Sequence, residues 1–219
     1  MKTILITGAA GNLGTAVVKK FLTEGYFVIA TAQHKSEIPA TEKLEVVELN
    51  VFDEKACRDF VDELIKKYSH IDASALLVGG FAMGKLEDTS EESLQKMIQF
   101  NFLSAFHLSA PLFAHMKENK SGKIILMGAM GALNPIAGKN MIAYSLSKSL
   151  LFQFNGLLNA AGKELNVNSL VIAPSTIDTP QNRTAMPNAD FSTWNKPTDI
   201  AAMMFEFCEG KRIDEVIKL

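Results

Sequence analysis

A glycine turn wedged between a strand and a helix narrows the folds open to this chain before anything else is read. Thr7-Gly8-Ala9-Ala10-Gly11-Asn12-Leu13-Gly14 follows the apolar run Thr3-Ile4-Leu5-Ile6 and precedes a segment with Val17, Val18, Phe21 and Leu22 on one face. Glycines so placed meet three mechanical needs: a tight turn, close approach of backbone N–H groups to a diphosphate, and close packing of helix on strand. The anion then sits at the positive end of the helix that starts near Asn12. The spacing is T-G-x-x-G-x-x-G, and in this context it predicts a dinucleotide site built by Gly8, Ala10, Gly11, Asn12, Leu13 and Gly14.

The rest of the chain alternates strand and helix signals, which predicts an α/β architecture around a doubly wound parallel sheet. Strands are expected at residues 26–31, 44–49, 71–78, 123–127 and 167–173, with a short last one at 215–219. A helix starts after Asp53, a good N-cap, and a long one opens at Ser90 carrying Leu94, Met97, Asn101, Ala105, Leu108 and Leu112 at helical spacing. Further helices are expected over residues 143–160 and from Pro197, while residues 175–196 read as a polar loop over a site. No linker or repeat interrupts residues 1–219, so one domain is expected. Ligands of such sheets lie at the carboxyl ends of the strands, which here end at Gly8, Gly79, Gly128 and Pro174.

Composition removes other classes. With 47% hydrophobic and 21% charged residues the chain is not disordered, and a net charge of −2 supplies no field for nucleic acid or anionic membrane. Its apolar runs are too short to span a bilayer, and the N-terminus enters a strand with no signal-peptide pattern. Cys57 and Cys208 have no metal spacing and read as free thiols; His34, His70, His107 and His115 have no ligand spacing either. The expectation is a cytoplasmic protein with a small-molecule substrate and no metal, nucleic acid or membrane partner.

A second constellation is Tyr144-Ser145-Leu146-Ser147-Lys148, which puts a phenol and an ammonium one helical turn apart. The ammonium is expected to lower the phenol from its reference of about 10 by roughly 1–3 units, giving a proton donor near neutral pH.

Together these motifs resemble the short-chain dehydrogenase/reductase family over nearly the whole chain, which implies a Rossmann fold and NAD(P)-dependent hydride transfer. The match covers Thr7, Gly8, Gly11 and Gly14, the helix asparagine Asn101, and the catalytic pair Tyr144 and Lys148. Pro174-Ser175-Thr176-Ile177-Asp178-Thr179 fits the family's Pro-Gly-x-x-x-Thr, so the resemblance gives Pro174, Ile177 and Thr179 to the nicotinamide end. Leu77-Val78-Gly79-Gly80 replaces the usual Asn-Asn-Ala-Gly, and Ala129 stands where the family has its catalytic serine. Losing one such donor costs on the order of 10²–10³ in rate on an ordinary ketone.

The dihydropteridine reductase branch of the family is similar at these departures. It shares the Gly128-Ala129 ending, an aromatic after the glycines as in Gly79-Gly80-Phe81, and the long run from Ile177 to Trp194. By this resemblance the substrate is a quinonoid dihydropterin, with Tyr144 as proton donor and Lys148 gripping the ribose. Phe81, Ala129, Arg183 and Trp194 then face the substrate. Alternatives stay open: Asn101 is a site residue or a satisfied core group, Arg183 meets substrate or pairs with Asp178, and Phe81 and Trp194 stack on a ring or pack. Two rival functions remain, a reductase of other ketones or quinones and a nucleotide-sensing binding protein with little catalysis.

The cofactor is NADPH or NADH. The end of the second strand, Ala32-Gln33-His34-Lys35, has no acid before Glu37 to reject a 2′-phosphate, which favours NADPH. Asn50 and Val51 fall near the adenine. The resemblance implies a homodimer or homotetramer, with the Ser90 and Tyr144 helices at the interface.

Overall fold

The computed structural model describes residues 1–34, 38 and 41–219. Among these, β1 (Thr3–Thr7), β2 (Phe27–Ala32), β3 (Leu44–Glu48), β4 (Ala73–Leu76), β5 (Gly122–Met127), β6 (Val167–Ala173) and β7 (Val216–Lys218) form one parallel sheet in the order β3-β2-β1-β4-β5-β6-β7. Eight helices accompany it: α1 (Asn12–Thr23), α2 (Glu54–Tyr68), α3 (Glu91–Ile98), α4 (Ser104–Glu118), α5 (Pro135–Gly138), α6 (Ile142–Gly162), α7 (Pro180–Ala185) and α8 (Pro197–Cys208).

Both faces of the sheet are covered, which is why β1 is buried at every residue and reads as a continuous apolar run. On one face Val17, Val18 and Phe21 of α1 and Ile200, Met204 and Phe207 of α8 pack on Ile4, Ile6, Val28 and Ala30. On the other, Phe60 and Leu64 of α2, Leu108 and Leu112 of α4 and Leu151 of α6 pack on Leu5, Ile29, Ile124 and Leu126. The winding reverses at β1, which has β2 on one side and β4 on the other. That reversal opens a crevice at the carboxyl ends of the strands. Local signals start the helices as expected: Asp53 Oδ1 accepts the Ala56 N–H at 2.9 Å, and Ser90 Oγ accepts that of Ser93 at 3.1 Å.

Three expectations change. Strand 71–78 shrinks to β4 because the chain leaves the ladder early: the Leu77 N–H goes to Thr7 Oγ1 at 3.0 Å and that of Gly80 to Asn101 Oδ1 at 2.9 Å. The long helix from Ser90 is broken by a π turn at Gln99–Leu103, which adds a residue to the turn and resets the faces beyond it. Residues 175–196 are not all loop. Thr179 Oγ1 accepts the Asn182 N–H at 3.2 Å and Pro180 fills the first helical position, so the polar stretch starts α7.

Candidate active site

The ends of β1 to β4 border a cavity of about 600 Å³. Of the residues expected at the cofactor, Gly8, Ala10, Gly11, Gln33, Asn50, Val51 and Gly79 line it. Gly8 has φ +62°, a conformation costly for any side chain. A Cβ on Gly14 would lie 2.1 Å from the Gly8 carbonyl oxygen, so α1 starts this close to the turn only with glycine there. Gly11 caps α1 without a side-chain bond, which leaves the first N–H groups of the helix for an anion. That uncapped helix start beside the cavity fits the diphosphate of a dinucleotide.

Sequence reasoning missed Thr31, Ala32, Glu48, Leu49, Phe52, Leu77, Val78 and Phe100, which also line the cavity. Phe52 had a signal, since it stands two residues after Asn50 at the same strand end. Phe100 gives none, because the π turn aims it. Lys35 and Glu37 lie outside the described residues, which leaves Gln33, exposed just past the end of β2, to bear on the cofactor expectation.

The second half of the site is built on α6. Tyr144 meets the edge of Phe81, with ring centroids 5.0 Å apart at 73°. Lys148 is buried, and its Nζ donates to the Met127 carbonyl at 2.6 Å. Burial pushes Lys148 down to about 8 and Tyr144 up to about 12. The expected lowering of the phenol is therefore corrected. The low-polarity surroundings of Tyr144 outweigh an ammonium that is directed at β5. Tyr144 is held as a protonated phenol across the neutral range.

Asn101 joins the two halves. It is 1% exposed; its Oδ1 accepts from Gly80 N, its Nδ2 donates to Ser147 Oγ at 2.9 Å, and that hydroxyl donates to the Tyr144 carbonyl at 2.8 Å. The chain of bonds runs from the end of β4 through the π turn to the first turn of α6. A Cβ on Gly79 would lie 2.7 Å from Asn101 Oδ1 and 3.2 Å from Lys148 Nζ. So Gly79, which lines the cavity, also approaches the Tyr144–Lys148 side. Ala129 is buried at the end of β5 and brings a methyl group where a hydroxyl was possible. The Met130 N–H donates to the Pro174 carbonyl at 3.0 Å and holds the ends of β5 and β6 together.

The segment after β6 folds on itself. Asn195 closes its neck, donating from N to the Thr176 carbonyl at 2.8 Å and accepting the Asp178 N–H at 2.9 Å. Inside, Arg183 grips both carboxylate oxygens of Asp178 at 2.6 and 2.8 Å and lies 4.6 Å over Phe191, which in turn packs on Trp194 at 4.7 Å. The Arg183 bonds hold the Asp178 carboxyl below its usual range. Among the described residues no hydrogen bond or ring contact joins Arg183 or Trp194 to Tyr144 or Phe81. Asn182 Nδ2 donates to the Ile177 carbonyl at 2.8 Å, and Ile177 packs against the core on the α1 side of the sheet. Asn12 Nδ2 donates to Gln181 Oε1 at 2.5 Å, which lays α7 and its cap Thr179 across the glycine turn.

A family model described as short chain dehydrogenase matches residues 2–190. Dihydropteridine reductase of Dictyostelium discoideum is 30% identical, over 94% of this chain and 87% of that protein. The cyclic-di-GMP-binding biofilm dispersal mediator protein of Escherichia coli K12 is 26% identical over 93% and 87%. Among solved structures, ElxO with NADP bound superposes at a TM-score of 0.89 with 19% identity, over 99% of this chain and 96% of that one.

Proposed function

This chain belongs to the short chain dehydrogenase family and is an NAD(P)-dependent oxidoreductase, and we propose on that footing that it reduces a flat quinonoid substrate of the dihydropterin kind. The observation that carries the reading is the pairing of a protonated Tyr144, faced by the Phe81 ring, with a buried Ala129 at the position of a second donor. A ketone needs that second donor for its developing alkoxide. A quinonoid ring, which gains stability on reduction, does not. The 30% identity to a dihydropteridine reductase supports the same assignment.

When bound, the nicotinamide cofactor supplies the hydride. The α1 N-terminus with Gly8, Ala10, Gly11, Asn12, Leu13 and Gly14 holds its diphosphate. Gln33, Asn50 and Val51 border the adenosine, Gly79 and Gly80 the middle, and Pro174, Ile177 and Thr179 the nicotinamide end. Tyr144 gives the proton, Lys148 leaves the Met127 carbonyl for the ribose, and Asn101 positions both through Ser147 and Gly80. Phe81 and Ala129 form the floor under the substrate. Arg183 and Trp194 serve it by shaping the loop, since Arg183 is committed to Asp178.

The uncharged Gln33 supports NADPH. Buried free thiols at Cys57 and Cys208 support a reducing, cytoplasmic setting. The apolar strip on α4 and α6 supports self-association as a homodimer or homotetramer.

A second reading keeps a ketone or quinone as substrate, favoured by the intact Asn101–Ser147 link beneath Tyr144. The test is NADH and NADPH oxidation with quinonoid dihydropterin beside ketones and quinones, with Tyr144→Phe in parallel. The expected result is fast pterin turnover that falls by roughly 10²–10⁴ in the variant while cofactor affinity holds. Turnover on ketones alone would favour the second reading; tight cofactor binding without turnover would make the chain a nucleotide-binding sensor.

A further inference from the structure

Two phenylalanines far apart in the chain meet in the nucleotide cavity. The rings of Phe52 and Phe100 are 4.8 Å apart at 51°, both are half-buried, and both line the wall beside Asn50, Val51 and Leu49. Phe100 reaches this wall from the π turn, one residue before Asn101, so the same irregular turn that ties Asn101 to Gly80 and Ser147 sends its neighbour into the cavity. An aromatic wall of this kind binds a flat base by its face whatever groups the base carries on its edge.

Asn50 stands at the same wall. Its Oδ1 accepts the Phe52 N–H at 3.1 Å, which fixes which end of the amide is oxygen and directs that oxygen at the backbone. The Nδ2 group has no bonding partner among the described residues and is left as a donor at the cavity. A donor suits the acceptors of a purine edge. On its N7 side adenine presents a ring-nitrogen acceptor next to an amino donor, whereas a 6-oxo purine presents two acceptors side by side there. A carboxylate at this position would demand the amino group; an amide donor does not.

We propose that Phe52, Phe100 and Asn50 form a base slot that selects a purine by its face and one acceptor, and so takes hypoxanthine in place of adenine in the dinucleotide. The slot rests on the cofactor reading above and adds a specificity to it: tolerance of a 6-oxo purine.

The test is a direct binding titration of the purified protein with NADH and with its hypoxanthine counterpart, followed by the fluorescence of the bound reduced nicotinamide. The two dissociation constants are expected within about threefold of one another, since one donor-to-acceptor bond serves both bases. Asn50→Asp, which can still accept the Phe52 N–H, is expected to bind the hypoxanthine form on the order of tenfold more weakly than the adenine form. Phe100→Ala is expected to weaken both by roughly 5- to 100-fold. Phe52→Leu and Phe100→Leu, which keep apolar volume, provide folded comparisons checked by circular dichroism. Hypoxanthine dinucleotide binding the native protein more than tenfold weaker overturns the proposal. So do phenylalanine variants, folded, that bind both forms like the native protein. Failure of both dinucleotides to bind at millimolar concentration overturns the cofactor reading itself, a result distinct from rejection of the hypoxanthine form alone.

Discussion

Lys148 sits buried one turn from Tyr144 with its ammonium on the Met127 carbonyl, and burial moves the two groups in opposite directions. Unfolded, Lys148 titrates near its ordinary 10.5; folded, it is down at about 8. Between those values the unfolded chain binds more protons, so stability rises with pH over this window, and below it the folded protein carries the full cost of a buried charge. Lys148→Met is therefore expected to stabilise the cofactor-free protein at pH 7 by on the order of 1–3 kcal/mol, while turnover is lost. Urea midpoints at pH 7 and pH 10 check this: the advantage of the variant should shrink at the higher pH, and no advantage at pH 7 would mean the ammonium is solvated. Tyr144, raised to about 12, does not ionise below pH 10, so the basic limb of kcat/KM should fall near pH 8 and follow Lys148. Lys148→Arg, which stays charged, should move that limb upward.

Short elements around the cavity do the positioning. The glycine turn holds α1 against β1 only because Gly14 has no side chain. In Gly14→Ala, with a Cβ 2.1 Å from the Gly8 oxygen, helix and turn must separate. Backbone displacement of that kind costs about 1–3 kcal/mol, and NAD(P)H affinity should drop with it, both readable from one thermal-shift titration with cofactor. Retention of native affinity would show that the turn relaxes without losing its N–H groups. The π turn is the other critical element. Asn101→Ala leaves the half-buried Gly80 N–H without its acceptor and the buried Ser147 hydroxyl without its donor, a loss of about 1–3 kcal/mol. If Asn101 positions the site as well as filling the core, kcat should fall more than KM rises, whereas a purely structural role would lower stability alone.

At the scale of the whole molecule, the sheet is closed to solvent on both faces, yet α4 and α6 still show an apolar strip. Phe106, Leu146, Leu150 and Leu157 are exposed there, Leu157 at 58%, around a shallow groove walled by Phe102 and Phe154. Charge placed at its centre should prevent self-association without reaching the core, because Leu157 packs on little within the chain. Leu157→Glu is expected to shift the protein to monomer in sedimentation experiments while its melting temperature at low concentration stays close to that of the native monomer. A native protein that is already monomeric at micromolar concentration would rule out this interface.

Much of this was legible in the residues. Glycine spacing after a buried strand dictates a turn open to phosphate, and alternating periods dictate a wound sheet, because both depend on contacts between residues a few positions apart. Asp53 and Ser90 announced their helices for the same reason. The Tyr144–Lys148 pair could be read as a spacing, but its protonation could not, since desolvation depends on what the rest of the chain packs around it. Thr179-Pro180 was a local start signal hidden by the polarity of its surroundings. The meeting of Phe100 with Phe52, of Asn101 with Gly80 and Ser147, and of Asn12 with Gln181 had no local signature. Those contacts follow from a π turn that shifts the helix faces and from chain segments up to 169 residues apart brought to one end of the sheet. The order of residues along the chain determined the sheet, its winding and the glycine turn at its carboxyl end; only packing in three dimensions decided which side chains face the cavity there and what charge they carry.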